Sequence, residues 1–233
     1  SNGDVCNGTV MINAGLPEET GILVLSFMND FIFDLNNWGS VVYLNSAGPF
    51  DGSTASNPYQ FATPLGSTVQ LMIGIYCPLS RGNESFTVIE SVTDIDGGGT
   101  YNFTCDNIGS TIDGYVTRDG EPVYWATIAM YRETDNRFAG FARTNKHGYY
   151  SLINVPNGSY WLGITAEDYD CIEKTAYFSV NEDLRLETIE LSGCEFDFDH
   201  DGDVDGSDLA IFSSQLINES ELAAFASEYG RIN

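Results

Sequence analysis

The chain has 233 residues, 34 acidic against 9 basic, and a formal charge of -25. That balance excludes a phosphate backbone or an anionic membrane surface as partner, because such binders need a basic footprint. Hydrophobic residues make up 42% and aromatic residues 13%, enough to build real cores in two or three small domains. No apolar run reaches the ~18 residues of a membrane-spanning helix. The chain begins Ser1-Asn2 without Met or a basic, then apolar, leader, and so reads as a processed form. The five cysteines, Cys6, Cys77, Cys105, Cys171 and Cys194, form no CxxC pair. Disulfides in an oxidising, extracellular compartment are therefore expected rather than zinc or thioredoxin-type chemistry.

Residues 1–110 read as an all-β domain. Strand-like runs cover Gly8 to Asn13, Gly21 to Met28, Val41 to Asn45, Thr68 to Tyr76, Phe86 to Ser91 and Thr100 to Cys105. The stretches NSAGPFDGSTASNP and DIDGGG read as turns, and short strands broken this way predict a sandwich. Asp94 and Asp96 in DIDGGG are a turn pair that could hold a second cation.

Residues 111–193 repeat the theme. Strands are expected at Asp113 to Thr117, Ala126 to Arg132, Phe138 to Thr144, Tyr149 to Ile153, Ser159 to Ala166, Thr175 to Val180 and Leu184 to Leu191. NKHG and PNGS read as tight turns, and Tyr150, Tyr160 and Trp161 as core or rim. The pattern GYVTRDGEPVYWATIAMY followed by TNKHGYYSLINVPNGSYWLGITAEDY resembles the carboxypeptidase regulatory-like, transthyretin-like β-sandwich. That resemblance covers about eighty residues and implies a non-catalytic accessory or spacer domain.

An internal repeat links the two halves. YQFATPLGSTVQLMIGIYC, Tyr59 to Cys77, parallels YSLINVPNGSYWLGITAEDYDC, Tyr150 to Cys171. Two related sandwiches in tandem follow. If the strands flanking Asn181-Glu182-Asp183 form a hairpin, Cys171 and Cys194 lie opposite each other, and by analogy Cys77 pairs with Cys105 around DIDGGG. Cys6 is left over, to pair with another chain or stay buried, and spacing alone leaves other connectivities open.

From Cys194 the chain changes character. In DFDHDGDVDGSDL, Asp197, Asp199 and Asp201 alternate, Gly202 follows, and Asp203, Asp205 and Asp208 come after. This is calcium-loop spacing. Oxygen ligands stand at positions 1, 3 and 5, glycine at 6, a backbone carbonyl at 7, and further ligands at 9 and 12. Val204 would anchor the loop inward. The run DFDHDGDVDGSDLAIFSSQL resembles one half of a dockerin, the calcium-dependent docking module of secreted bacterial and archaeal proteins. Asp208 stands at position 12 where an EF-hand has Glu, and INESELAAFASEYGR keeps a helix without a second DxDxDG. Leu209, Phe212 and Leu216, then Leu222, Phe225 and Tyr229, repeat at helical spacing. These two stripes must pack on each other and on the neighbouring sandwich or a partner.

Only His147 and His200 are present, and no GxSxG, HExxH or P-loop occurs. Lys174 is a candidate for an isopeptide bond. Sequons stand at Asn7, Asn83, Asn102, Asn157 and Asn218. Trp38, Trp125 and Trp161 could stack on sugar rings or simply fill cores. The expected protein is mainly β: two tandem Ig- or transthyretin-like sandwiches, 1–110 and 111–193, and a short helical calcium-binding module, 194–233. The expected function is non-catalytic: a secreted, Ca2+-binding structural protein that joins a protein partner or assembles with itself into a fibre. The alternative is a carbohydrate-binding or accessory module of a larger secreted enzyme system.

Overall fold

The computed structural model describes residues 3–13, 16, 20–28, 43–51, 56–78, 83–106, 109–167, 172–191, 206–213, 223–226 and 229. Its first strands in chain order are β1 (Gly3–Ile12), β2 (Gly21–Met28), β3 (Tyr43–Asp51), β4 (Ser56–Pro64), β5 (Thr68–Cys77), β6 (Ser85–Asp96) and β7 (Thr100–Cys105). In a three-stranded sheet, β1 lies between β4, antiparallel to it, and β7, parallel to it. Facing it, β3-β2-β5-β6 form an antiparallel array. β4 alternates without a break, Asn57, Tyr59, Phe61 and Thr63 inward and the residues between them outward. That period of two is what a half-buried strand requires. The first buried cluster brings Cys6, Val10, Tyr59, Phe61 and Phe103 against Ile22, Val24, Leu71, Ile73 and Ile75.

The chain continues through β8 (Ser110–Arg118), β9 (Glu121–Pro122), β10 (Thr127–Arg132), β11 (Phe138–Arg143), β12 (Tyr149–Val155), β13 (Gly158–Thr165), β14 (Glu173–Lys174), β15 (Phe178–Val180), β16 (Leu184–Arg185) and β17 (Ile189–Glu190). A helix, α1 (Gly206–Ser213), follows, and residues 223–226 are helical as well. β12, β8 and β16, with β9 and β17 also on β8, form a five-stranded sheet. Its partner layer is β10, β11, β13, β14 and β15. The second buried cluster lies between them and includes Ile112, Val116, Ile128, Tyr150, Leu152 and Leu162.

The two partner layers are one sheet. β6 pairs antiparallel with β11, giving nine strands in the order β14-β13-β10-β11-β6-β5-β2-β3, with β15 on β13. The seam places Ser85 opposite Ala142, Phe86 opposite Phe141 and Thr87 opposite Gly140. Gly140 is needed here, because a Cβ would come within 2.5 Å of the Phe86 carbonyl oxygen. β12 reinforces the join. Its Leu152 fills the second cluster while Ile153 packs against the first.

The molecule is mainly β, as the composition and turn spacing indicate. Two local expectations are corrected. The stretch 45–58, read as a turn, holds the end of β3 and the start of β4. Leu184 to Leu191, read as one strand, is two short pairings, β16 and β17, each parallel to β8. The repeated segments make the same move: β4 then β5, and β12 then β13, each cross from the smaller sheet to the nine-stranded one at a Pro-x-Gly-Ser turn.

Candidate functional site

Of the expected calcium ligands, Asp197, Asp199, Asp201, Asp203 and Asp205 lie outside the described residues, and Asp208 lies within them. Asp208 sits in the first turn of α1 with none of its surface exposed. A carboxylate taken out of water needs hydrogen bonds or a cation to offset its desolvation. Position 12 of the expected loop thus falls on a buried carboxylate. Four residues further on, Phe212 is buried and stacks on Phe225, ring centroids 4.4 Å apart and 11° from parallel. Phe225 meets Tyr229 at 5.7 Å. The two apolar stripes thus pack on each other through their central aromatics, while Leu209 and Tyr229 keep 39% and 49% of their surface in water.

The second candidate cation spot is a turn. The Asp96 carboxylate accepts the Gly98 N–H at 2.9 Å, and its carbonyl accepts the Gly99 N–H and the Tyr101 hydroxyl. Among the described residues, no group of three metal-ligating side chains forms around Asp94 and Asp96 or elsewhere.

The cysteines depart from the hairpin analogy. No disulfide joins Cys77 to Cys105. Cys77 ends β5 opposite Ser85, whereas Cys105 ends β7 opposite Ile12 in the other sheet. The chain crosses between sheets after the Gly97–Gly99 turn because Phe103 and Cys105 are inward residues of the first core. Cys6 is fully buried there, and burial pushes the thiols of Cys6 and Cys105 upward, with the nearby carboxylates of Asp96 and Asp106 adding to it. Cys171 and Cys194 lie outside the described residues.

Of the three tryptophans that could stack on sugar rings, Trp125 and Trp161 pack against neighbouring side chains. Trp161 is 8% exposed, stacks on Tyr131 at 4.4 Å, donates its Nε1–H to Asn136 and is capped by the Lys174 ammonium at 4.2 Å. Arg143 covers the Trp125 ring at 5.0 Å. Trp38 lies outside the described residues. Arg143 also bonds Thr127 and pairs with Glu84 across the seam at 3.7 Å. Beside it, the Asn83 amide donates to the carbonyls of Arg143 and Tyr149, at 3.3 and 2.6 Å. Sequence reasoning missed this lock because Asn83 and Arg143 are sixty residues apart. His147 stays in its turn, its N–H held by the Asn145 side chain.

Two grooves, of about 570 and 480 Å³, lie side by side along the junction and share Ile89, Pro156 and Asn157. The first ends at Thr104, Cys105 and Asp106 of the β7 end. The second is flanked by Arg132 and Arg137, both within 4 Å of Asp135.

No family model and no curated protein sequence matches the chain. Among solved structures, it is similar to the shaft pilin of Lactobacillus rhamnosus GG at 10% identity and a TM-score of 0.32, over 83% of this chain and 98% of that one. The minor pilin of Streptococcus agalactiae matches at 14% identity and 0.30, over 81% and 96%. The Bacillus anthracis TIE protein matches at 13% and 0.31, over 82% and 35%. Similarity at this level decides neither the fold nor the role of this chain.

Proposed function

We propose that the chain is a secreted, non-catalytic, calcium-binding structural protein that joins a protein partner or copies of itself, in the second case as an extracellular fibre. The observation that carries this reading is the seam. A continuous nine-stranded sheet fastens two separate cores into one stiff unit, which suits a load-bearing spacer. No helix among the described residues is long and apolar enough to cross a membrane.

Assembly would use sheet edges, which carry backbone groups able to pair with another strand. The three-stranded sheet has two edges. β4 is blunted by Pro58 and Pro64, whereas β7 contains no proline. The β7 edge is therefore the better acceptor, and a head-to-tail contact there that does not close on itself would propagate a filament. Calcium would be held by Asp197, Asp199, Asp201, Asp205 and Asp208, with the Asp203 carbonyl, and would neutralise their mutual repulsion. What the protein supplies is the α1 turn that buries Asp208 and the Phe212–Phe225 stack behind it.

Calorimetric titration of the intact chain tests the calcium part. One ion per chain is expected, bound at about 10⁻⁴–10⁻³ M as extracellular loops do. An absence of heat and of any calcium-dependent change in thermal midpoint would contradict it. Electron microscopy of the same sample tests the fibre. Filaments are expected, and particles that remain single at every concentration would leave only a separate partner.

A further inference from the structure

The outer face of the three-stranded sheet is unlike the other sheet surfaces of the molecule. The outward positions of β1, β4 and β7 carry no charged side chain, in a chain of formal charge -25. By contrast, Asp113 and Arg185 lie on the five-stranded sheet, and Arg143 and Lys174 on the nine-stranded one. The uncharged face also leaves Val5 and Met11 exposed at 40% and 44%. In its centre are two complete sequons, Asn7-Gly8-Thr9 on β1 and Asn102-Phe103-Thr104 on β7. A strand's period of two turns Asn and Thr of each sequon to the same side. The parallel register sets Thr9 beside Asn102 and Met11 beside Thr104, so the two acceptors are neighbours on one surface.

Each asparagine is held by its oxygen. Thr9 N–H donates to Asn102 Oδ1 at 3.0 Å, and the Thr100 hydroxyl donates to Asn7 Oδ1 at 2.8 Å. Nδ2 of neither has a partner among the described residues. Asn83, in the sequon Asn83-Glu84-Ser85, is the opposite case, since its Nδ2 donates to two carbonyls at the seam.

We propose that Asn7 and Asn102 are N-glycosylation sites, and that the uncharged face is a glycan-bearing surface whose sugars cover Val5 and Met11. The donor is an oligosaccharide on a polyisoprenyl phosphate or pyrophosphate. Nδ2 forms a bond to the anomeric carbon, the carbon–oxygen bond to the lipid phosphate breaks, and Nδ2 gives up a proton. No redox step is involved. Whether transfer precedes or follows folding, the folded chain accepts a glycan at Asn7 and Asn102. At Asn83 a glycan would replace one of the two Nδ2 hydrogens and leave at least one seam carbonyl without its donor. The proposal needs export from the cell but neither calcium binding nor assembly, so its failure leaves those untouched.

The test is site-resolved mass spectrometry of proteolytic peptides from the protein purified from its source organism. Peptides containing Asn7 and Asn102 should carry hexose-containing additions, and the Asn83 peptide should be bare. Asn7→Gln and Asn102→Gln should each remove one addition from the intact mass and leave the circular dichroism unchanged. Bare Asn7 and Asn102 would overturn the proposal, as would equal occupancy at Asn83. Bare asparagines together with a dimer that Val5→Glu dissociates would assign the face to a second copy of the chain instead.

Discussion

At the residue scale, carboxylates and small residues do the most specific work. Asp208 is the described member of the proposed calcium loop, and on that proposal Asp208→Asn should weaken calcium binding at least about tenfold by calorimetry, with the fold intact by circular dichroism. Asp113 is a different case. Hydrogen bonds from the Arg185 guanidinium, at 2.7 Å each, hold its carboxyl below the usual range, with partial burial pushing the other way and the Tyr149 hydroxyl and Arg185 charge adding to the first effect. A lowered native pKa stabilises the fold above the unfolded value, about pH 4, and that stabilisation is lost as pH falls through the native value. Asp113→Asn should therefore lower the thermal midpoint by about 1–3 °C at neutral pH, the gap closing in acid. Gly74 lies under Phe86, whose ring atoms would be 2.4 Å from an added Cβ. Gly74→Val should cost about 1–3 kcal/mol in chemical denaturation, through overpacking against a ring only 1% exposed. The helix that follows the acidic run was legible in the sequence because its apolar spacing is a local pattern. The Asp113–Arg185 pair was not, because seventy-two positions separate its members and only the parallel β16–β8 pairing brings them together.

At the element scale, the β6–β11 seam is the feature that makes two cores one body. Asn83→Ala removes the donor for two carbonyls and should cost about 1–3 kcal/mol. Gly140→Val drives a side chain into the Phe86 carbonyl and should open the seam. The expected readout is calorimetric: a single cooperative transition for the native chain and two separable ones for Gly140→Val. A single unshifted transition in the variant would show that the seam carries no coupling. Strands with apolar runs were readable directly, and Gly21–Met28 and Thr100–Cys105 have the bounds that their residues suggest. β4 was hidden because its inward positions include Asn57 and Thr63 and its outward ones two prolines, a mixture that reads as loop and is tolerated only at an edge. The Cys77–Cys105 pairing failed for a related reason. Consecutive strands joined by a tight turn suggest hairpin partners, but β7 exchanges β6 for β1 to bury Phe103. The seam itself left no signal, since sheet continuity depends on backbone pairing between strands about fifty residues apart.

At the scale of the whole molecule, the proposed assembly of a strongly acidic chain requires a contact where like charges do not oppose it. The β7 edge, next to an uncharged face, is such a place. Repulsion between copies of formal charge -25 is screened within roughly 8 Å at physiological salt, so assembly should strengthen with ionic strength as well as with calcium. The most direct measurement is the sedimentation of the intact chain in millimolar calcium, repeated after chelation. Large, elongated particles that fall to monomers on chelation are the predicted result. Particles that survive chelation would contradict calcium control, and a compact monomer under both conditions would contradict self-assembly itself.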